Sequence, residues 1–299
     1  MSKYCWVSHL VLHGSSPKEL EDPGENISSR KSEVPLFKPF DTSELHQKLL
    51  SSKLALQTPE LIGKLLINQF KEPMQDVSRE LNNHIPKECE YSLAIAGGAF
   101  RSVYDGTPIS DLDIFLICPD VSSEIVATMF CSLSGAQYVW DRQWVSYNNG
   151  CLVRRVLGVI LNWNSLKVQL MFHTQKYLPK MEISDIPVGL IADRIEYMIR
   201  QGTLGKDISE VSHSSVSELL EGFDFIPCMA AVSLSPSFIS ECAWDPSWEL
   251  CVSKKLLRPN PLYDGPYQFS RIMKYVTSYG YTVENPNKLD FFGGSFYDN

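Results

Sequence analysis

Apolar residues recur along this chain at two different spacings, and the points where the spacing changes mark out its parts. Residues 14–40 are rich in Ser, Pro, Glu and Lys and show no apolar period; they read as a surface-running arm. Asp41-Thr42-Ser43-Glu44 can cap a helix reaching about Ser52. Thr58-Pro59-Glu60 then supplies an N-cap, a proline in the first turn and an acidic first turn. The pairs Leu61/Leu65 and Ile62/Leu66 place a buried stripe on this second helix at i, i+4. A third helix is expected over 73–84. From Tyr91 the pattern turns strand-like. Ser92–Ala96 reads as a buried strand ending in Gly97-Gly98, and Leu112–Cys118 as a second strand. A helix is expected at 122–133, strands at 137–147, 151–161 and 166–172, and helices at 184–201 (carrying Arg194 and Arg200) and 214–222. A further strand is expected at 225–232, then a helix over 267–278 stopped by Gly280.

This succession predicts an α+β fold, a mixed sheet flanked by helices with an N-terminal helical segment and a mixed, mainly helical C-terminal region. Four stretches follow from it: a flexible arm (1–40), N-terminal helices (41–90), a core (91–175) and a C-terminal region closing a cleft (176–299). The chain has 299 residues, 44% hydrophobic and 21% charged, with a formal net charge of −8. That is enough apolar surface for one large core or two small ones. The negative balance excludes a protein that coats nucleic acid by bulk charge but leaves room for a local basic groove. No apolar run approaches the roughly 20 residues of a membrane-spanning helix. The first residues lack the apolar core and cleavage site of a secretory signal. The eight cysteines form no Cys-x-x-Cys pair, so buried, reduced thiols in a cytoplasmic protein are expected. A zinc enzyme built from scattered Cys and His is a distant alternative.

The chemistry concentrates in Ala96–Leu116. Asp111 and Asp113 stand two apart in a strand, so both carboxylates leave the same face while Leu112 and Ile114 point into the core. Two carboxylates so close repel each other unless a cation lies between them, which points to a divalent metal, Mg²⁺ above all, with Mn²⁺ as its substitute. At the other end of the segment, Gly97-Gly98 lets the backbone approach a ligand closely. The short helix that follows would aim unpaired N–H groups at an anion. Thirteen positions separate Gly98 from Asp111, so a phosphate-binding turn and a metal-binding strand tip face each other.

Gly97-Gly98 … Asp111-Leu112-Asp113 resembles the signature of the polymerase-β-type nucleotidyltransferase superfamily. Its spacing and its Gly-Gly-x-x-Arg start are similar to the head domains of CCA-adding enzymes and bacterial poly(A) polymerases, over about residues 91–175. Where those proteins usually continue with Asp after the Arg, this chain has Ser102. The resemblance implies that Asp111 and Asp113 hold two Mg²⁺ ions. It places Ser110 and the Gly97/Gly98 backbone against the β- and γ-phosphates of a nucleoside triphosphate, with Arg101 nearby. It implies transfer of a nucleoside monophosphate to a hydroxyl acceptor, with RNA (a tRNA 3′ end among them) ahead of a protein or small molecule. Val168-Gln169-Leu170, Glu221–Phe225, Lys254-Lys255-Leu256 and Arg271–Tyr275 are in turn similar to uncharacterised nucleotidyltransferase-like chains of phages and large DNA viruses.

The superfamily's third carboxylate comes from a neighbouring strand. Here that strand, Leu166–Phe172, carries Gln169 in the centre; Asp224, between Phe223 and Phe225, is the alternative third acid. An amide carries no charge and cannot act as a base, so the alternative reading is a catalytically weak or inactive protein of the same fold that binds nucleotide, RNA or a protein partner. His173 is a remote substitute base. Arg271 and Lys274, three apart on one helix, together with Lys254, Lys255 and Arg258, are read as a basic wall for triphosphate or RNA backbone. Trp140, Trp144, Tyr147 and Trp163 could stack a base, but packing between strands suits them better. Oligomeric state is left open.

Overall fold

The long helix and the short apolar runs set the architecture. In a computed structural model of the chain, residues 4–12, 38–52, 58–146, 151–163, 166–178, 211–235, 240–263, 267–284 and 286 are described. The expected 184–201 helix with Arg194 and Arg200, most of the 14–40 arm, and Tyr147 lie outside these residues, as does the side chain of Trp144.

Helices α1 (Ser43–Ser51) and α2 (Pro59–Leu81) form where their caps predict. The Thr58 hydroxyl accepts the Leu61 N–H, and Pro59 occupies the first turn. The expected separate helix at 73–84 is instead the second half of α2. Pro73, lacking an N–H and crowding the preceding turn, kinks the helix at Phe70 (φ −106°, ψ 18°) without ending it. The strand β2 (Ser92–Ala96), helix α3 (Gly98–Asp105), strand β3 (Asp111–Ile117) and helix α4 (Ser123–Ser132) follow. Then come the long strands β4 (Ala136–Ser146), β5 (Cys151–Trp163) and β6 (Leu166–Leu178).

The sheet runs in the order β1-β4-β5-β6-β3-β2-β8-β9, where β1 is Tyr4–Leu12, β8 is Ala230–Leu234 and β9 is Ser240–Trp244. The two-residue β7 (Val211–Ser212) adds to β6. Among the described residues only β3 and β6 run parallel within this sheet, which makes it mixed. The expected α+β architecture, a mixed sheet flanked by helices, is therefore what the chain adopts. The sheet takes strands from both sides of the expected 91–175 stretch: β1 comes from the segment read as an arm, β8 and β9 from the region read as mainly helical. The strand expected at 225–232 is a short 3₁₀ turn (Ile226–Cys228) leading into β8, because Pro227 cannot donate to a ladder.

Leu93, Ile95, Leu112, Ile114, Leu116, Val168, Leu170 and Phe172 cover one sheet face and meet α1, α2, α3 and α4 in the main core. The opposite face carries small residues (Ala94, Ala96, Ala231) and Phe115 under α5 (Val216–Glu221) and α6 (Trp248–Ser253). The C-terminal helix α7 (Phe269–Tyr279) ends at Gly280, whose φ of 70° suits glycine. Two short strands, β10 (Leu256–Leu257) and β11 (Thr282–Val283), pair parallel beside it. Helix α7 is anchored by Ile272 and Tyr275 against Phe225, Cys228 and Leu257. No helix among the described residues is long and apolar enough to cross a membrane. Burial pushes the Cys118 and Cys251 thiols up to about 11 and Cys242 up to about 12, so all three stay protonated; these three and Cys89, Cys131 and Cys228 are free of disulfides.

Candidate active site

The period-2 pattern of β3 does what the sequence requires of it. Leu112 and Ile114 are buried in the main core, while Asp111 and Asp113 project from the second face at the strand's N-terminal end. Gly97 precedes α3 with φ 77° and ψ −132°, a conformation suited to glycine. A Cβ there would stand 3.3 Å from Phe223 Cε1 and 3.8 Å from Asp113 Oδ2. The turn thus brings the N-terminus of α3 beside the aspartates.

Seven of the residues singled out from the sequence line one cleft of about 100 Å³: Gly98, Arg101, Ser110, Asp111, Asp113, Arg271 and Lys274. Tyr275 and Tyr279 close it from α7. Burial and the neighbouring Asp111 carboxylate push the Asp113 carboxyl up to about 7, against the opposing pull of Arg271, Lys167 and Lys274. Ser110 Oγ donates to Asp111 Oδ1. Arg101 is only 4% exposed; its Nη2 donates to Ser102 Oγ at 3.3 Å, but Nε and Nη1 have no hydrogen-bond partner among the described residues. Its guanidinium lies 3.4 Å from the centroid of the Tyr279 ring and 5.5 Å from that of Tyr275.

Gln169 and Asp224, the two residues weighed for the third acid, part company. β6 runs parallel to β3 and sets Gln169 opposite Asp113. Gln169 Nε2 donates to Asp111 Oδ2 at 2.8 Å and to Asp113 Oδ1 at 3.1 Å. Asp224 is instead buried and paired through Oδ2 with Arg271 Nε at 2.8 Å. Burial raises its carboxyl and Arg271 pulls it back, while Asp224 holds the Arg271 guanidinium well above its usual range. The loop carrying Asp224 is fixed by Asn260, whose Nδ2 donates to the Glu221 and Phe223 carbonyls. Arg271 also donates to Cys228 Sγ at 3.4 Å, and that sulfur meets the Tyr275 hydroxyl.

Two other members of the expected basic wall, Lys255 and Arg258, have other work. Lys255 pairs with Asp105 at the end of α3, and Arg258 with Glu284, so the first ties the C-terminal segment to α3 and the second ties that segment to itself. Trp140 lies over Gly158, and Trp163 meets Phe70 edge-on at 6.1 Å, so both are packing residues. His173 is half-buried beside His213 and Phe115, and the desolvation of its ring holds its pKa well below the usual imidazole value. Three contributors went unread in the sequence. Lys167 sits two positions before Gln169 on the same strand face. Tyr275 and Tyr279 extend the Arg271 face of α7 at i, i+4 spacing. In each case the period was there to find them.

The donor set fits one cation. Two adjacent carboxylates invite it, but no group of three His, Cys, Asp or Glu side chains gathers among the described residues. A second ion of the kind the resemblance implies would lack its third carboxylate.

No family model matches the chain, and no curated protein matches it. Among solved structures, a CCA-adding enzyme in apo form I overlays it with a TM-score of 0.39 at 14% identity, over 84% of this chain and 44% of that one. A Thermotoga maritima CCA-adding enzyme complexed with tRNA also gives 0.39, at 13% identity over the same shares of 84% and 44%. A tRNA nucleotidyltransferase complexed with a primer tRNA and an incoming ATP analogue gives 0.34 at 11% identity, over 71% of this chain and 46% of that one. The chain spans less than half the length of these proteins. With scores below 0.5 the likeness carries no argument about this chain, and it lends nothing to the similarity with phage and viral chains.

Proposed function

We propose that the cleft binds a nucleoside triphosphate with Mg²⁺ and transfers its nucleoside monophosphate to a hydroxyl acceptor, RNA before protein. The observation that carries this reading is the pairing of opposite demands in one small space. Asp111 and Asp113 want a cation, and Arg101, buried with two unpartnered guanidinium nitrogens, wants an anion. A metal–triphosphate complex meets both demands at once. Bound there, Mg²⁺ would neutralise phosphate charge.

The protein's own groups divide the remaining work. The N–H groups at the start of α3 and the Arg101 guanidinium face the phosphates. Arg271, oriented by Asp224, and Lys274 supply positive charge from the opposite wall, where charge builds up on the departing pyrophosphate. Tyr275 and Tyr279 hold the Arg101 plane in place.

Gln169 favours a second reading, in which the cleft binds nucleotide and transfers it slowly or not at all. An amide in contact with both carboxylates cannot take a proton from an acceptor hydroxyl. One experiment addresses both readings: incubation with Mg²⁺, labelled nucleoside triphosphates and total RNA, alongside the Asp111→Ala/Asp113→Ala variant. Incorporation that disappears in the variant supports transfer. Nucleotide binding without incorporation supports the second reading, and incorporation that survives the double substitution refutes the first.

A further inference from the structure

We infer that this cleft holds a single divalent cation per chain, and that Gln169 is the residue that sets the number. The inference rests on the cleft being a metal–nucleotide site, and it concerns what the neighbouring strand contributes there.

In a parallel pair, residues in register share a face with their strands roughly 4.8 Å apart. The Asp113–Gln169 register therefore aims the Gln169 side chain at the aspartates. Its amide reaches both of them, at 2.8 and 3.1 Å. A carboxylate at this point would make three anions within contact distance and would call for two cations. The amide leaves two anions, which one divalent ion balances.

The surroundings push the same way. Arg271, Lys167 and Lys274 already act on Asp113, and Arg101 lies in the same cleft. Among these four cations a second divalent ion would depend on phosphate oxygens alone, because the two carboxylates are already taken by the first. The other acid weighed for that role, Asp224, is engaged with Arg271, and no third His, Cys, Asp or Glu joins the pair among the described residues. The amide serves in two states. Without metal, its N–H₂ group bridges the two carboxylates; turned over, its oxygen is a neutral ligand. Gln169 is thus a positioning residue for the aspartate pair that supplies no charge.

The test is a count of bound Mn²⁺ by electron paramagnetic resonance. The full chain is titrated in the presence of an equimolar set of the four α,β-methylene nucleoside triphosphate analogues. One Mn²⁺ per wild-type chain with the signal of an isolated ion is expected, and two coupled ions per chain in Gln169→Glu. Two ions in the wild type would overturn the inference while leaving the nucleotide reading intact. One ion in both proteins would overturn the role given to Gln169. No tight Mn²⁺ in the wild type, even with the analogues present, would overturn the metal–nucleotide reading and the inference with it. The wild-type count stands on its own should the Gln169→Glu chain fail to fold.

Discussion

Replacing Arg101 by Met should weaken nucleotide binding far more than it changes the stability of the fold. A side chain that merely packs would not behave this way. The guanidinium is 4% exposed, and neither Nε nor Nη1 has a partner among the described residues. Leaving buried polar groups unsatisfied costs about 1–3 kcal/mol in the ligand-free protein. Against this stand the Tyr279 and Tyr275 ring contacts, together about 1–2 kcal/mol for a desolvated cation. Methionine keeps most of the volume and relieves the unsatisfied nitrogens. The net change in stability should therefore lie between a loss of about 1 and a gain of about 2 kcal/mol, a shift in Tm of a few degrees at most. Binding is another matter. Two charge-assisted hydrogen bonds to phosphate at about 1.5–3 kcal/mol each would be lost, which is roughly 100-fold or more in Kd. Thermal unfolding without ligand and calorimetric titration with nucleoside triphosphate measure the two halves separately. A variant that loses more than about 2 kcal/mol of stability but binds nucleotide as well as the wild type would make Arg101 a structural residue and refute the reasoning.

Three further expectations follow from the geometry. Asp224 is the more buried partner of its ion pair, with a side chain 11% exposed against 42% for Arg271. Arg271→Met should therefore cost about 3 kcal/mol by stranding a buried carboxylate, and Asp224→Asn only about 1 kcal/mol; urea unfolding of the two variants and their double mutant would reveal equal costs if this asymmetry is wrong. Gly97→Ala should cost about 1–3 kcal/mol from its φ of 77° and also lower nucleotide affinity, because the new methyl presses on Phe223 beside Asp113; unfolding and binding measured together check it, and an unchanged chain would refute it. Burial, with the Arg154 charge beside it, lowers His213 from 6.5 to about 4, so the unfolded chain binds more protons between those values. The share of stability from this group is complete above pH 6.5 and falls by roughly 3 kcal/mol on acidification towards pH 4. His213→Asn should lessen the slope in urea unfolding at several pH values, leaving the part that the lowered His173 contributes.

What could be read in advance was local in the chain. Asp111 and Asp113 needed only the two-residue period of a strand, and Gly97-Gly98 only the demands of a tight turn; both lie where those arguments put them. Arg271 and Lys274 were legible as one face of a helix, but not as a face that meets Arg101. That meeting depends on α7 being held by Phe225, Cys228 and Leu257, which no spacing within the helix encodes. Lys255 and Arg258 show the opposite outcome. They were equally basic and equally close in sequence, yet their partners Asp105 and Glu284 lie 150 and 26 positions away and turn them into ties.

The third acid was the hardest case, because Gln169 and Asp224 stand in the same apolar-polar-apolar setting. Only the strand order separates them. β6 lies beside β3 and places Gln169 against both aspartates, whereas Asp224 sits on a loop before β8, on the far side of β2, and meets a cation instead. The two positions therefore answer different electrostatic needs. An acid at 169 would add to a repulsion that already pushes the Asp113 carboxyl up to about 7, and an acid at 224 offsets the cost of holding Arg271 at the cleft. Removing the charge of Asp224 unbalances the phosphate-facing wall, while adding one at Gln169 changes the number of cations the other wall can hold. Exchanging acid and amide thus acts on different partners at the two positions: at 224 on the cation Arg271, at 169 on the carboxylates Asp111 and Asp113.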